Sequence, residues 1–145
     1  MEIVIPDEGC IDVLKLYVGQ ARPDELVLRL FANDIHPGRD DSAARYVEPA
    51  GHGYAAVRLK ADEWRIVQAP APANGAAALR PPPLARAREV SFVFTGAAGD
   101  VFGYFLTRAG SGRIAHAQRF DQPIRVVNNG DRIRVVAQIS QRSRG

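Results

Sequence analysis

Cysteine is almost absent from this sequence of 145 residues; Cys10 is the only one. A single thiol excludes an internal disulfide framework and any zinc site built on several cysteines. Histidine is scarce as well, at His36, His52 and His116, with no His-x-His pair and no His-Glu-x-x-His run. The pairings that a cupin-like metal site or a helical zinc protease needs are therefore missing. The Gly-x-Ser-x-Gly elbow and the Gly-Lys-Ser/Thr phosphate loop are missing too. No run of about 18 apolar residues occurs, so no segment is expected to span a membrane. The opening residues Met1 to Glu8 carry acids and no basic region, unlike a secretory signal. These absences predict no metal and no cofactor and leave no catalytic signature; an enzyme built on carboxylates distant in the chain is the least favoured reading.

Lysine is nearly missing: 17 of the 19 bases are arginine, leaving only Lys15 and Lys60. Acids run out along the chain. Residues 1–63 hold 12 acids and 7 bases, whereas residues 64–145 hold 4 acids and 12 bases. A basic second half predicts a surface for an acidic partner. What is abundant is 46% hydrophobic residues with 13 glycines and 10 prolines. That composition predicts a single turn-rich globular domain over residues 1–145 and argues against a helical bundle.

Hydrophobic periodicity predicts one helix, residues 7–19. Pro6 and the acids Asp7 and Glu8 stand at its start, and Gly19 at its end. Ile11, Leu14 and Val18 share its apolar face, with Cys10 and Tyr17 beside them, so Cys10 is expected in the core. The period then switches to two. Strands are expected at 25–31, 54–59, 63–67, 91–95, 101–107 and 113–120, with 101–107 central because it is apolar on both faces. Residues 124–127 and 132–139 flank Asn128-Asn129-Gly130-Asp131 and predict a β-hairpin. About eight short strands with turn signals predict an all-β fold, an antiparallel β-sandwich with one short N-terminal helix. Residues 68–88, rich in proline and alanine, are expected to form an extended loop or arm.

Two groups stand out as candidate contact residues. Arg125, Arg132 and Arg134 fall on alternating positions of the expected hairpin, a basic face for an acidic protein partner. Pro81, Pro82 and Pro83, followed by Arg86 and Arg88, form a stiff basic segment suited to docking. Nucleic acid is not expected as a partner, because no exposed aromatics interleave the hairpin arginines. Asp34, Asp40 and Asp41 cluster in the polar loop 32–44 but lack EF-hand spacing, and read as loop solvation and local turns. The aromatics between Phe92 and Phe120 read as core. Trp64 beside Arg65 is the one candidate platform for a carbohydrate- or receptor-binding module.

Ordered blocks spread along the chain carry a family likeness. They are Ile5-Pro6-Asp7-Glu8-Gly9, Leu26 to Ile35 with Pro37, Gly53-Tyr54-Ala55-Ala56 with Trp64, Phe92-Val93-Phe94-Thr95-Gly96, Val101-Phe102-Gly103-Tyr104-Phe105, Arg119-Phe120, and Asn128-Asn129-Gly130-Asp131. In these the chain resembles small virion proteins encoded among the head genes of tailed bacteriophages. It departs from them at Pro81-Pro82-Pro83, where the family has a strand-like stretch, and at Ala115-His116-Ala117-Gln118, where the family is more apolar and acidic. The resemblance implies a jelly-roll sandwich that acts as a capsid cement or decoration protein. Its implied partners are the major capsid protein and further copies of itself, a homodimer in preference to a trimer. Its implied place is the capsid surface of the virion, after synthesis in the host cytoplasm. The alternative is a receptor- or carbohydrate-binding module of a phage tail or fibre.

Overall fold

The computed structural model describes residues 3–68 and 82–140. It holds eight strands and one helix: β1 (Ile3–Val4), α1 (Asp7–Tyr17), β2 (Leu26–Phe31), β3 (Val57–Leu59), β4 (Trp64–Val67), β5 (Leu84–Val93), β6 (Gly99–Arg108), β7 (Ile114–Val126) and β8 (Arg132–Ser140). All pairings are antiparallel, in one sheet of order β1-β7-β6-β2-β3 and a second of order β4-β5-β8. The expected all-β sandwich is the fold found.

Strand alternation builds the core. Leu28 and Leu30 of β2 and Tyr104 and Leu106 of β6 face Val90, Phe92, Ile133 and Val135 of the smaller sheet, all 4% exposed or less. The opposite face of the larger sheet is covered as well. There Phe31, Phe105, Ile114 and Ala117 pack under Tyr46 of the polar loop, with Tyr46 and Phe105 stacked at 4.8 Å. A strand covered on both sides must be apolar on both sides, which is why β6 reads as it does and lies between β7 and β2. Among the described residues, nothing comparable covers the outer face of the smaller sheet.

The polar loop is fixed by its own side chains. Asp41 accepts bonds from the Tyr46 hydroxyl at 2.6 Å and the Gly38 N–H at 2.8 Å, and pairs with Arg45. These bonds hold its carboxyl below the usual range although burial alone would raise it. Asp34 pairs with Arg119 at 2.8 Å. The acids are thus structural, in keeping with the loop reading.

Three expectations need correction. The first is the C-terminal hairpin. Residues 124–126 belong to the end of β7, which continues through Pro123 by a bulge, and β7 and β8 lie in different sheets. The Asn-Asn-Gly-Asp turn therefore carries the chain from one sheet to the other. Its own bonds hold it there: Asp131 Oδ2 accepts from the N–H groups of Val127 and Asn128, and Gly130 N–H and Asp131 C=O bond the backbone of Phe94 on the far side. An Asn-Gly turn specifies a chain reversal, not the sheet that the second strand joins.

The second is the arm. Residues 84–88 are the start of β5, paired with β4 and β8, because Ala85 and Ala87 alternate with arginines at strand spacing. Pro82 and Pro83 are exposed and lead into that strand. The rest of the expected arm, with Pro81, lies outside the described residues.

The third is the helix, which ends at Tyr17 rather than 19 and is turned inside out. Its buried residues are Gly9 and Asp12. A Cβ on Gly9 would sit 2.4 Å from the Ala115 carbonyl oxygen, so the helix lies directly on the β7 backbone. Asp12 accepts bonds from Arg113 at 3.2 Å and pairs with Arg108 at 3.6 Å. Cys10 is exposed rather than in the core, as are Ile11, Val13, Leu14, Leu16, Tyr17 and Val18.

His116 lies on β7 opposite Leu106 and is 4% exposed. Neither ring nitrogen has a well-formed hydrogen-bond partner among the described residues. Burial pushes the imidazole down to about 4, opposed by the nearby Ser140 backbone. A depressed histidine adds stability that is complete above the unfolded value of about 6.5 and is lost as pH falls toward the folded value. Urea unfolding is expected to show a loss of about 2.5 kcal/mol between pH 7.5 and 4.5 from this group. His116→Leu should remove most of that slope; an unchanged slope would place its origin elsewhere.

Candidate functional site

The uncovered face of the smaller sheet gathers arginines that are far apart in sequence. In β8, Ile133, Val135 and Ala137 point into the core, so Arg132 and Arg134 point outward. Their partners across β5 are Val93 and Ser91. A bulge between Arg86 and Glu89 adds one residue to β5 and leaves Arg88 and Glu89 both exposed. Arg86 stands directly opposite Arg65 of β4. Arg65, Arg86, Arg88, Arg132 and Arg134 thus share one three-stranded sheet.

Their carboxylate partners are few. Glu63 takes a bond from Arg88 at 3.0 Å, and the Lys60 N–H together with that guanidinium holds its carboxyl below the ordinary range. Glu89 lies 3.6 Å from Arg134. Arg65, Arg86 and Arg132 have no carboxylate partner among the described residues, and the Arg86 Nε is buried without an acceptor. Like charges directly opposite across a strand pair are destabilising, so the Arg65–Arg86 pair is a cost that a bound anion would offset. The two arginines line a shallow cleft of about 250 Å³ with Trp64, Arg88 and the carboxylates of Asp62 and Glu63.

Of the candidate residues, the structure brings together Arg86, Arg88, Arg132 and Arg134. Pro82 and Pro83 lie at the entry of the same sheet. Arg125 does not join them; it sits on β7 in the other sheet, opposite Asp100 and bonded to it at 3.0 Å. The same inter-sheet turn that breaks the expected hairpin separates it from Arg132. Arg65 was missed from sequence because a lone arginine on a short strand has no signal without the register. Trp64 is half-buried and packs against the core rather than standing as an open platform.

The exposed helix is the second unusual surface. Leu14 is 62%, Tyr17 74% and Val18 66% exposed. A helix apolar on nearly every side is ordinarily buried, and a contiguous apolar patch of this kind marks a contact surface. A signal was present: six of the eight residues from 11 to 18 are apolar, too many for one buried stripe.

Among the described residues, no group of three or more histidine, cysteine, aspartate or glutamate side chains is placed to hold a metal ion. No helix among these residues is long and apolar enough to cross a membrane. No family model matches the chain, and no curated protein or solved structure shows significant similarity to it.

Proposed function

We propose that this chain is a structural virion protein of a tailed bacteriophage. In this reading it binds the outside of the capsid and cements neighbouring major capsid protein subunits. The observation that carries the reading is the pair of exposed surfaces, an arginine face with few carboxylate partners on the smaller sheet and an apolar helix beside the larger one. Both suit contact between proteins rather than chemistry on a small molecule. The block resemblance supplies the phage setting and the jelly-roll type of connectivity.

The arginine face would meet acidic residues of the shell, and the helix would join two copies. Ile11, Leu14 and Val18 follow the three-four spacing of a helix–helix seam. Antiparallel pairing about a two-fold axis brings the acidic first turn of one copy toward Lys15 of the other. A bivalent dimer needs only weak single contacts to hold a shell closed.

The test is binding to purified empty shells. Reversing Arg132 and Arg134 to glutamate together is expected to weaken co-sedimentation at least tenfold at low salt. Arg125→Glu, on the other sheet, should leave it unchanged. Equal binding by all three proteins would refute the arginine face, and no binding by the wild type would refute the cement role.

A further inference from the structure

The free edge of β8 carries an inference that rests on the acidic-partner reading and gives it a mechanism. Among the described residues β8 ends its sheet, with β5 as its only strand partner. The Gln138 N–H points away from β5, because it donates to the Tyr104 hydroxyl at 3.2 Å, which in turn donates to Gln118 at 2.6 Å. Strand parity then turns the N–H and C=O groups of Arg132, Arg134 and Val136 outward as well. Tyr104 closes the edge at Gln138; further up, no described residue pairs with these groups.

Beside that open stretch lies a groove of about 270 Å³ between the two sheets. Tyr104, Gln118, Phe120 and Ile124 line it from the larger sheet, and Arg134, Val136 and Gln138 from β8. Phe120 stands there because the β7 bulge lifts it off the β6 register, whereas Ile124 is paired with Val101 just beyond that bulge. The edge thus offers three things: backbone groups without partners among the described residues, a slot of mixed lining whose apolar wall is Phe120 and Ile124, and Arg132 and Arg134 directed to the outer face.

We propose that this edge takes up an extended segment of the partner protein as a fourth strand of the smaller sheet. A strand alternates its side chains between the two faces. The fitting segment therefore alternates acidic residues, set against Arg132 and Arg134, with apolar residues that enter the groove. Main-chain bonds supply affinity and the alternation supplies specificity. A second copy of β8 is not the occupant, since two-fold pairing would set arginine against arginine.

The probe is a synthetic heptapeptide alternating glutamate with valine, compared with one alternating lysine with valine. The glutamate peptide is expected to bind at least tenfold more tightly and to slow amide exchange at residues 132, 134 and 136. Val136→Pro removes an N–H that has no partner among the described residues and is accommodated on an edge. It should lower peptide affinity at least tenfold with little change in melting temperature. If it unfolds the chain, the amide protection pattern of the wild type decides alone. Absence of protection at the three amides, or undiminished peptide binding by a folded Val136→Pro, would overturn the proposal. Shell binding separates the two readings. If Val136→Pro binds shells fully while the Arg132/Arg134 reversal does not, strand addition falls and the arginine face stands. If both variants bind shells fully, both readings fall.

Discussion

Asp12→Ala is expected to destabilise the protein by about 3 kcal/mol, measured by urea unfolding at pH 7. Asp12 is 5% exposed and is the only charged side chain that α1 buries. Its carboxylate faces Arg113 and Arg108, whose side chains are 38% and 17% exposed. Removing it strands two guanidiniums at a partly dry contact, the case in which breaking an ion pair costs most. The Gly9 contact with β7, the bond from Ile114 N–H to Glu8 at 3.2 Å and the bond from Asp7 N–H to the Arg39 carbonyl at 2.8 Å remain, so the helix is loosened rather than lost. Leu14→Asp gives the contrasting result. Leu14 is 62% exposed, so the monomer should keep its stability within about 0.5 kcal/mol. Light scattering should instead show loss of the dimer. A wild type that is monomeric at every concentration would remove the helix from the proposed interface.

Gly103→Ala is expected to cost about 3 kcal/mol in the same measurement. Gly103 lies on β6 opposite Phe31 of β2 and Arg119 of β7. A Cβ there would lie 2.3 Å from the Gln118 carbonyl oxygen and 2.6 Å from two carbons of the Phe31 ring. The first is sheet backbone, and the second is a ring with no exposed surface that also packs on Tyr46 at 5.1 Å. Neither has anywhere to go. Gly38→Ala is the control: its nearest neighbour is the Asp41 side chain at 3.5 Å, an ordinary contact. It should change stability by less than about 1 kcal/mol. Equal effects at the two positions would show that backbone entropy, not close approach, governs them.

How far the sequence carried the fold can be judged from particular elements. Alternation placed β2, β4 and β6 to within a residue or two, since a period of two needs only local information. It also set β6 in the middle of a sheet, because both of its faces are apolar. It found only the last part of β5. Ala85, Arg86, Ala87 and Arg88 alternate, but alanine is a weak apolar signal beside three prolines. It misjudged α1 because periodicity reports which side chains are apolar, not which of them meet the domain. Here a glycine and an ion pair hold the helix down, and the apolar residues face away.

The site shows the same division. Four of the eight candidate residues, Arg86, Arg88, Arg132 and Arg134, meet on one sheet, and their outward direction was legible from their alternation with core residues. Their meeting was not legible, because 43 residues separate Arg88 from Arg132 and only the β5–β8 register joins them. Arg125 reads as their neighbour in the chain yet belongs to the other sheet.

By itself, then, the sequence determined the strand-rich character of the chain, its central strand, the excess of arginine and the lack of cysteine- or histidine-rich ligand sets. These are local or compositional properties. The tertiary structure alone decided which strands share a sheet, which edge stays open and which apolar residues stay uncovered. Those depend on contacts between segments distant in sequence, and it is they that turn scattered arginines and an ordinary-looking helix into two surfaces for other proteins.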